Sequence, residues 1–229
     1  MGLIVNDNDT DYVHEINSFV DWCDNNFLQL NVGKTKEMVI DFRKGSVVPP
    51  PVVIKGNEVE RVQSYKYLGV TFNNELSWSE NTDLIMKKVN TRMYCLRKLK
   101  SFDVSSQLLQ IFFNSIVGSI LTFGLTCWGG NLTQADRARM DRVVTKAEKL
   151  VGKSLDNLEI LYNKRVLTKV KAIMKDDSHP LKPDFDRANV SGSGRLQLPK
   201  CKTNRFKNSF FPIAIKKYNE GYKRASREM

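Results

Sequence analysis

Histidine is rare in this 229-residue chain, and its cysteines are widely separated. His14 and His179 are the two histidines, and the four cysteines form no Cys-x-x-Cys pair. Zinc sites and disulfide-rich folds need closely spaced ligands or cysteines, so we predict neither a metal site nor a disulfide scaffold. Unpaired cysteines favour a reducing compartment, and Cys23 and Cys127 are predicted to lie in the core.

A secretory signal is also missing from the start of the sequence. The apolar run at residues 3–5 is short and acidic residues follow it, whereas a signal peptide needs a basic start and a longer apolar region. Together with the cysteines, this predicts an intracellular protein, nuclear or cytoplasmic, that is not secreted.

Basic residues are absent from the first 33 positions, which contain six acids and carry a net charge of −6. The whole chain has a formal charge of +11, so the remainder carries +17. A basic body of this kind indicates contact with a polyanion, although charge alone does not identify which one. The hydrophobic share of 41% is enough for a folded core and excludes a wholly disordered chain.

Charged residues are missing from Val104 to Ala135 as well. Polar residues recur there at helical spacing, namely Gln107, Gln110, Asn114, Ser115, Ser119 and Thr122. A membrane-spanning helix is predominantly apolar over about 20 residues. The polar side therefore favours a buried or half-buried helix, and we predict no membrane contact.

The apolar patterns predict an α+β fold with a small antiparallel β region, then a mainly helical part and an irregular basic tail. An amphipathic helix is predicted over 11–24. Alternating and β-branched residues predict β structure over 37–72, with a strand at 38–42 and a hairpin over 52–62.

From Trp78 onward the periodicity is helical. Thr133 is the predicted N-cap of a helix over 134–151, and a short helix is predicted near 213–218 in the tail. The changes of pattern divide the chain into four predicted segments: 1–45, 46–79, 80–175 and 176–229.

Two short motifs imitate catalytic signatures. Gly33-Lys34-Thr35 resembles the end of a phosphate-binding P-loop, but Leu28 stands where an earlier glycine is needed and a strand follows where a helix is needed. Asp176 and Asp177 are adjacent carboxylates that follow a predicted helix. We interpret them as a solvated helix end rather than a two-metal site.

Basic and aromatic residues are interleaved in the tail. Cations can bind phosphates while rings stack on bases, so this composition is typical of nucleic-acid contact, and equally of a solvated tail. The tail candidates are Lys202, Arg205, Phe206 and Lys207. The first helix after Trp78 has the same ambiguity, and it bears the cations Lys87, Lys88, Arg92, Arg97, Lys98 and Lys100. Its binding candidates are Lys87, Lys88, Arg92 and Lys98.

Three segments follow one another along the chain: 27–38, 65–70 and, after a step at Trp78 into basic helices, 198–210. In this order they resemble the later half of a reverse transcriptase from a non-LTR retrotransposon of the vertebrate LINE group. The resemblance implies an RNA-directed DNA polymerase that binds RNA or an RNA/DNA primer–template. It would make residues 80–175 the thumb and the β region a remnant of the palm.

The resemblance also implies roles for individual residues. Lys34 lies in a segment similar to polymerase motif D and is the candidate general acid for the pyrophosphate leaving group, with Lys36 as second choice. Tyr67, Leu68 and Gly69 resemble the primer grip, where a glycine lets the backbone approach the primer end. The basic helix and tail candidates would contact phosphates.

The catalytic aspartates of such a polymerase are missing. The family holds two Mg²⁺ ions with a motif A aspartate and an aromatic-x-Asp-Asp hairpin, and neither occurs in this sequence. We therefore predict a truncated fragment that has no polymerase activity alone and no cofactor. Mg²⁺ is expected only for the intact polymerase.

Two other functions remain open. One is a stand-alone nucleic-acid-binding module built from the basic helices and tail. The other follows from residues 88–130, which also resemble the short N-terminal domain of AlkB-homologue dioxygenase/methyltransferases that modify tRNA. The chain has no His-x-Asp iron motif and no glycine-rich methyl-donor loop, so that resemblance implies no such chemistry here. The sequence predicts no particular oligomeric state.

Overall fold

The computed structural model is mainly helical with a few short strands, which confirms the predicted α+β class. It describes residues 2, 4, 8–43, 45, 48–189 and 195–225, without the side chains of 222–225. The chain forms two compact units, Met1–Ser77 and Trp78–Met229. The boundary falls at the tryptophan where the sequence pattern becomes helical. The division into four segments stays a prediction.

The described part of the first unit combines one long helix with short strands. Helix α1 spans Thr10–Asn25, within one residue of the predicted bounds at each end. The strands are β1 Lys36–Glu37, β2 Val53–Ile54, β3 Asn57–Glu58, β4 Glu60–Arg61, β5 Ser64–Tyr67 and β6 Val70–Asn73. Val20 of α1 packs in a core with Val52, Ile54 and Val59, which explains the apolar stripe of this helix.

The strands form two antiparallel hairpins and one parallel pair. β2 pairs with β3 and β5 pairs with β6, whereas β1 runs parallel to β4. The predicted antiparallel arrangement is therefore corrected for β1 and β4, whose long connection permits parallel pairing. The predicted strand at 38–42 is wrong, because ladder pairing ends at Glu37 and these described residues form no strand.

A buried ion pair fixes β1 to β4. The Glu37 carboxylate is buried and accepts a hydrogen bond from Arg61 Nε at 2.9 Å. The same guanidinium donates to the carbonyl oxygens of Pro49 at 2.9 Å and Pro50 at 3.0 Å. A buried carboxylate is tolerated when it is paired and hydrogen-bonded. Arg61 therefore holds the proline-rich loop against the strand pair.

The described residues of the second unit are helical, with short connections. The longer helices are α2 Ser79–Ser101, α6 Gln134–Val151, α7 Leu158–Lys175 and α10 Phe210–Ala225. The shorter ones are α3 Ser106–Phe112, α4 Ser119–Leu121, α5 Leu125–Trp128, α8 Lys182–Ala188 and α9 Asn204–Lys207. Helix α2 packs on α6, and α7 packs on α10. Leu96, Met140, Val166 and Ile215 are fully buried in the core that these contacts form.

The uncharged stretch is a nearly continuous helix with a π-helical middle. Helix α3 leads into the π turn at Phe113–Gly118 and then into α4. Leu109, Phe113, Val117 and Leu121 are buried at a spacing of four, while other side chains of the stretch are exposed. The predicted half-buried helix is confirmed.

No single described helix is long and apolar enough to cross a membrane. The pair Ser106–Leu121 and Leu125–Asn131, bent by 44°, passes the same test by length and composition.

A hydrogen-bond network around Asp136 fixes the start of α6. Thr133 is the N-cap, as predicted: its Oγ1 accepts from the Asp136 N–H at 3.0 Å and donates to Asp136 Oδ2 at 2.8 Å. Ser79 Oγ, at the start of α2, donates to the same oxygen at 2.7 Å, and Arg139 Nη1 donates to Oδ1 at 3.1 Å. Because Asp136 is buried, this carboxylate joins α2 to α6 with little competition from water.

Asp136→Ala is expected to lower the free energy of unfolding by about 3 kcal/mol. The substitution removes the acceptor of Ser79, Thr133 and Arg139 in a buried place. Urea unfolding of the full chain, followed by circular dichroism, measures the loss. Asp177→Ala is the matched control, because the Asp177 side chain is 95% exposed, and we expect it to change stability by less than about 0.5 kcal/mol. Equal effects of the two substitutions would contradict the network.

The described residues of 176–189 and 195–225 are more helical than the sequence predicts. Helix α10 spans Phe210–Ala225 and extends well beyond the predicted 213–218. Pro212 lies in its first turn, where no intrahelical donor is needed, and Ala214 and Ile215 are buried. The prediction of an irregular tail is corrected here, because α7 supplies the packing partner that a lone sequence pattern does not reveal. Residues 190–194 and 226–229 of the predicted tail lie outside the described part.

Candidate nucleic-acid interface

The candidate cations of α2 lie on its solvent face. The buried face of this helix is formed by Ile85, Val89, Met93 and Leu96. Lys87, Thr91, Tyr94 and Lys98 follow spacings of four, three and four, and all are exposed. Residues three or four apart lie on one side of a helix, so these four form a row. Lys88 and Arg92, also four apart and exposed, form a neighbouring row.

The charge on this surface is of one sign. Between Leu84 and Ser101, α2 contains six cations and no acid. We call these six exposed cations, with Tyr94, the α2 basic face: Lys87, Lys88, Arg92, Arg97, Lys98 and Lys100. None of the six forms an ion pair with a carboxylate in the described part of the chain, whereas Asp83, one turn earlier, pairs with Arg139 at 2.7 Å. The six cations are therefore available for phosphate contacts.

Tyr94 adds an aromatic ring to the α2 basic face. The Lys98 ammonium lies 5.8 Å from the centre of this ring, and the tyrosine is 55% exposed. An exposed ring beside a cation can stack on a base while the cation contacts a neighbouring phosphate. Lys87 and Lys98 are roughly 16 Å apart along the axis, at 1.5 Å per residue. The surface is therefore long enough to contact several phosphates.

The tail candidates form a second cluster at α9. Lys202, Arg205, Phe206 and Lys207 are all exposed. Thr203 Oγ1 accepts from the Phe206 N–H at 3.2 Å and begins the helix. Asn131 Nδ2 donates to the Arg205 carbonyl oxygen at 3.3 Å, and Ser209 Oγ donates to that of Phe206 at 2.7 Å. These hydrogen bonds hold the four side chains on one short, anchored segment.

Two glycines that follow α5 allow the segment around α9 to pack closely against them. A β-carbon on Gly130 would lie 2.2 Å from the Asn208 carbonyl oxygen and 2.9 Å from the Tyr162 hydroxyl. A β-carbon on Gly129 would lie 2.8 Å from the Tyr162 ring. The absence of side chains at 129 and 130 therefore sets the position at which the chain passes from α9 to α10.

Tyr162, which packs against these glycines, carries a perturbed hydroxyl. The hydroxyl is buried and has no hydrogen-bond partner among the described residues. Burial raises the pKa of Tyr162 from 10.0 to about 12. The unfolded chain therefore loses this proton at lower pH than the folded chain. It follows that Tyr162 makes the free energy of unfolding fall as the pH rises from about 10 to about 12.

Tyr162→Phe is expected to remove that alkaline loss. At pH 7 we expect stability to stay within about 1 kcal/mol of the native chain, because the deleted hydroxyl makes no hydrogen bond to any described residue. Urea unfolding at neutral pH and at steps up to pH 12 measures both effects. Tyr94→Phe, at an exposed position, serves as control and should behave like the native chain. An unchanged alkaline loss in Tyr162→Phe would refute this assignment.

The two candidate catalytic lysines lie in the first unit. Lys34 ends a 3-10 turn at Val32–Lys34, where the Asn31 side chain accepts from the Lys34 N–H at 3.1 Å, and the lysine is exposed. Lys36 forms an ion pair with Glu60 across β1 and β4, which offsets its charge. The general-acid role of either lysine stays a prediction.

Tyr67, Leu68 and Gly69 form the tip of the β5–β6 hairpin. The φ angles are 47° at Leu68 and 90° at Gly69, as in the tight turns that join antiparallel strands. Leu68 is 78% exposed and Tyr67 is 60% exposed. A leucine in the left-handed region is strained, so the tip presents apolar side chains on a constrained backbone. A nucleic-acid contact at this tip stays a prediction.

The structure thus groups the predicted residues by element, on α2, at α9 and in the first unit. The sequence prediction omitted Tyr94, Arg97 and Lys100 from the site. The helical spacing of Tyr94 from Lys87 and Lys98 could have identified Tyr94 as a member of the site. Among the described residues, no cluster of three or more His, Cys, Asp or Glu could hold a metal ion.

Comparison with known families gives a match over the α2 basic face. The matched family is described as "Alkylated DNA repair protein alkB homolog 8, N-terminal", and the match covers residues 78–119. This segment contains α2, α3 and the π turn, but less than a fifth of the chain. The predicted similarity over 88–130 is confirmed where the two ranges overlap. No curated protein and no solved structure matches the chain.

This match corrects the predicted family. The prediction of a non-LTR retrotransposon reverse transcriptase, with palm, primer grip and thumb, is wrong: the segment predicted as thumb matches a different family. The structure explains why short motifs were misleading. Asn31 caps a local turn that ends at Lys34, and Leu68-Gly69 closes a hairpin. Such turn sequences stabilise a local change of chain direction, and they recur in unrelated proteins.

Proposed function

We propose that this chain is a nucleic-acid-binding module whose main contact is the α2 basic face. The observation that carries the proposal is that none of the six exposed cations of this face forms an ion pair with a carboxylate among the described residues, and that the exposed ring of Tyr94 lies beside them. Phosphate contacts by Lys and Arg supply most of the affinity of such surfaces, and they need no base sequence.

Single-stranded nucleic acid is the form that fits these residues. Tyr94 and Phe206 are exposed rings, each beside cations, and rings of this kind stack on unpaired bases. In a duplex the base faces are stacked on one another, so a duplex would contact the cations but not the aromatic rings. We propose RNA as the first ligand, as the sequence predicts, and an intracellular location, nuclear or cytoplasmic, remains part of the same proposal.

The test is fluorescence anisotropy with a labelled 20-nucleotide RNA of mixed sequence, titrated with the full chain at several salt concentrations. With six cations in contact, we expect log K to fall with log salt with a slope of about −4 for a single strand. The same sequence as single-stranded DNA and as duplex serves for comparison. Absence of binding at low salt, or binding that salt does not weaken, would refute the proposal.

The description of the matched family favours a narrower second proposal, in which the bound strand is alkylated. If the segment contributes to recognition of alkylated nucleic acid, a strand with one methylated base should bind more tightly than the unmodified strand. We expect a difference of about fivefold, within the range of one additional contact. Equal affinities would reject the narrower proposal and leave the general one intact.

A further inference from the structure

A groove in the second unit is lined by cations and hydroxyls that belong to neither basic cluster. It lies between α7 and the turn at Gly124–Thr126 and has a volume of about 400 Å³. Lys164, Arg165, Thr168 and Lys169 line its α7 side. None of the residues that line it is acidic. The groove is therefore a concave site of positive charge.

The fold builds the two walls from different elements. On α7 the five lining residues, which are the four above and Ala172, follow the spacing of one helical face, while Val166 and Val170 turn into the core. The other wall begins at Gly124, whose φ of 61° lets the chain turn sharply from α4 into α5. The groove thus depends on packing between α5 and α7, which are in contact.

Arg165 ties the two walls together. Its Nη2 donates to Thr122 Oγ1 at 2.6 Å, and Thr122, which is 2% exposed, donates in turn to the Gly118 carbonyl oxygen at 2.7 Å. A guanidinium has five N–H donors, and this bond uses one of them. No carboxylate of the described chain pairs with Arg165. Its orientation is therefore fixed while donors remain for a ligand.

Nearby acidic residues neutralise only part of the positive charge of the groove. Asp156 pairs with Lys164 at 2.6 Å from outside the groove lining. The pKa of Asp176 is lowered mainly by hydrogen bonds from Ser178, with a smaller contribution from Lys169. No carboxylate among the described residues accepts a hydrogen bond from Lys169. Within the described part of the chain, Arg165 and Lys169 are thus the two lining cations that form no ion pair.

We propose that this groove binds the phosphate group of a nucleotide. Arg165 and Lys169 bind the phosphate oxygens, and the Thr168 hydroxyl donates beside them. Ala172 is exposed in the same groove and supplies apolar surface for the sugar or base. The volume lies in the range of small-ligand sites and exceeds what a bare phosphate fills.

The phosphate has two possible sources: a free mononucleotide, or the backbone of a strand that is also bound at the α2 basic face. The site itself does not depend on that face. The two sources share one chemistry in the groove, and the ligands used in the test separate them.

Nuclear magnetic resonance of the ¹⁵N-labelled full chain tests the proposal. Adenosine monophosphate and the 20-nucleotide RNA are titrated separately, and the amide shifts of Thr126 and Thr168 report on the groove. We expect Lys169→Gln to weaken binding of the groove ligand about tenfold, as for loss of one charge-assisted hydrogen bond. Lys171→Gln, at an exposed lysine of the same helix outside the groove, should have no effect. Arg165→Gln should weaken binding more, but it also removes the hydrogen bond to Thr122. Lys169→Gln is therefore the substitution that tests the proposal.

The outcomes are distinct. Saturable shifts with adenosine monophosphate that Lys169→Gln weakens support a mononucleotide site. Shifts of Thr126 and Thr168 with RNA alone, again weakened by Lys169→Gln, support a strand phosphate. The proposal is overturned if neither ligand moves these amides or if Lys169→Gln and Lys171→Gln behave alike. Failure of the α2 proposal would appear separately, as RNA binding that does not respond to substitutions in α2.

Discussion

Replacing Gly130 with alanine is expected to lower the free energy of unfolding by about 3 kcal/mol, the upper part of the usual range for overpacking. The new methyl group would lie 2.2 Å from the Asn208 carbonyl oxygen and 2.8 Å from Ile213 Cδ1. A backbone oxygen cannot rotate away as a side chain can, so the chain between α9 and α10 must move. Urea unfolding of the full chain measures the loss.

The matched control for this change is Gly221→Ala in α10. A β-carbon at Gly221 meets no atom within 4 Å. Alanine is the better helix former, so we expect this substitution to raise stability by up to about 1 kcal/mol. A Gly130→Ala chain as stable as the native one would show that residues 208–213 do not pack against Gly130 as described.

Replacing Lys87, Arg92 and Lys98 together with glutamine is expected to weaken RNA binding about 100-fold at low salt. The three side chains are exposed and make no described ion pair, so the fold should be unaffected. Removal of three phosphate contacts should also reduce the magnitude of the salt slope by about 2 on a single strand. Anisotropy titrations over a series of salt concentrations measure both quantities.

The control substitution must lower the net charge by the same amount on a different surface of the protein. Lys146, Lys149 and Lys153 lie on α6 or directly after it and are exposed. Their joint replacement by glutamine lowers the net charge by the same amount, and we expect affinity to fall less than about fivefold, through the general field alone. If both triple substitutions weaken binding equally, RNA responds to total charge and the α2 basic face is not a site.

Much of the fold could be predicted from local signals. Thr133 and Asp136 specify the start of α6 because an N-cap hydroxyl and a first-turn acid act within one helical turn. The apolar stripe of α2 likewise follows from spacing within a single element. Two predictions that depended on distant partners failed, although Cys23 is buried as predicted. Residues 38–42 have strand composition but form no strand, and Cys127 is exposed because Leu125 and Trp128 are the α5 side chains that enter the core.

The candidate sites likewise could be predicted where they depend on local signals and could not where they depend on distant residues. The α2 basic face could be predicted because all of its members belong to one helix. The groove at Arg165 could not, since its walls come from α7 and from the turn at Gly124, which are distant in sequence. The predicted resemblance to a polymerase was wrong because it depended on short local motifs alone. Its motifs around Lys34 and Gly69 are short turns, and a turn sequence contains little information about the rest of a fold.

Photochemical cross-linking tests the central claim, that nucleic acid lies along the α2 basic face, most directly. The full chain is irradiated with a 20-nucleotide RNA that contains 4-thiouridine, and the adducts are mapped by mass spectrometry. The first unit offers its own exposed rings, since Phe19 and Trp22 are each 53% exposed and Phe27 is 98% exposed. We predict adducts at Tyr94, with Phe206 as a second position. Adducts confined to Phe19, Trp22 or Phe27, with none on α2, would contradict the account.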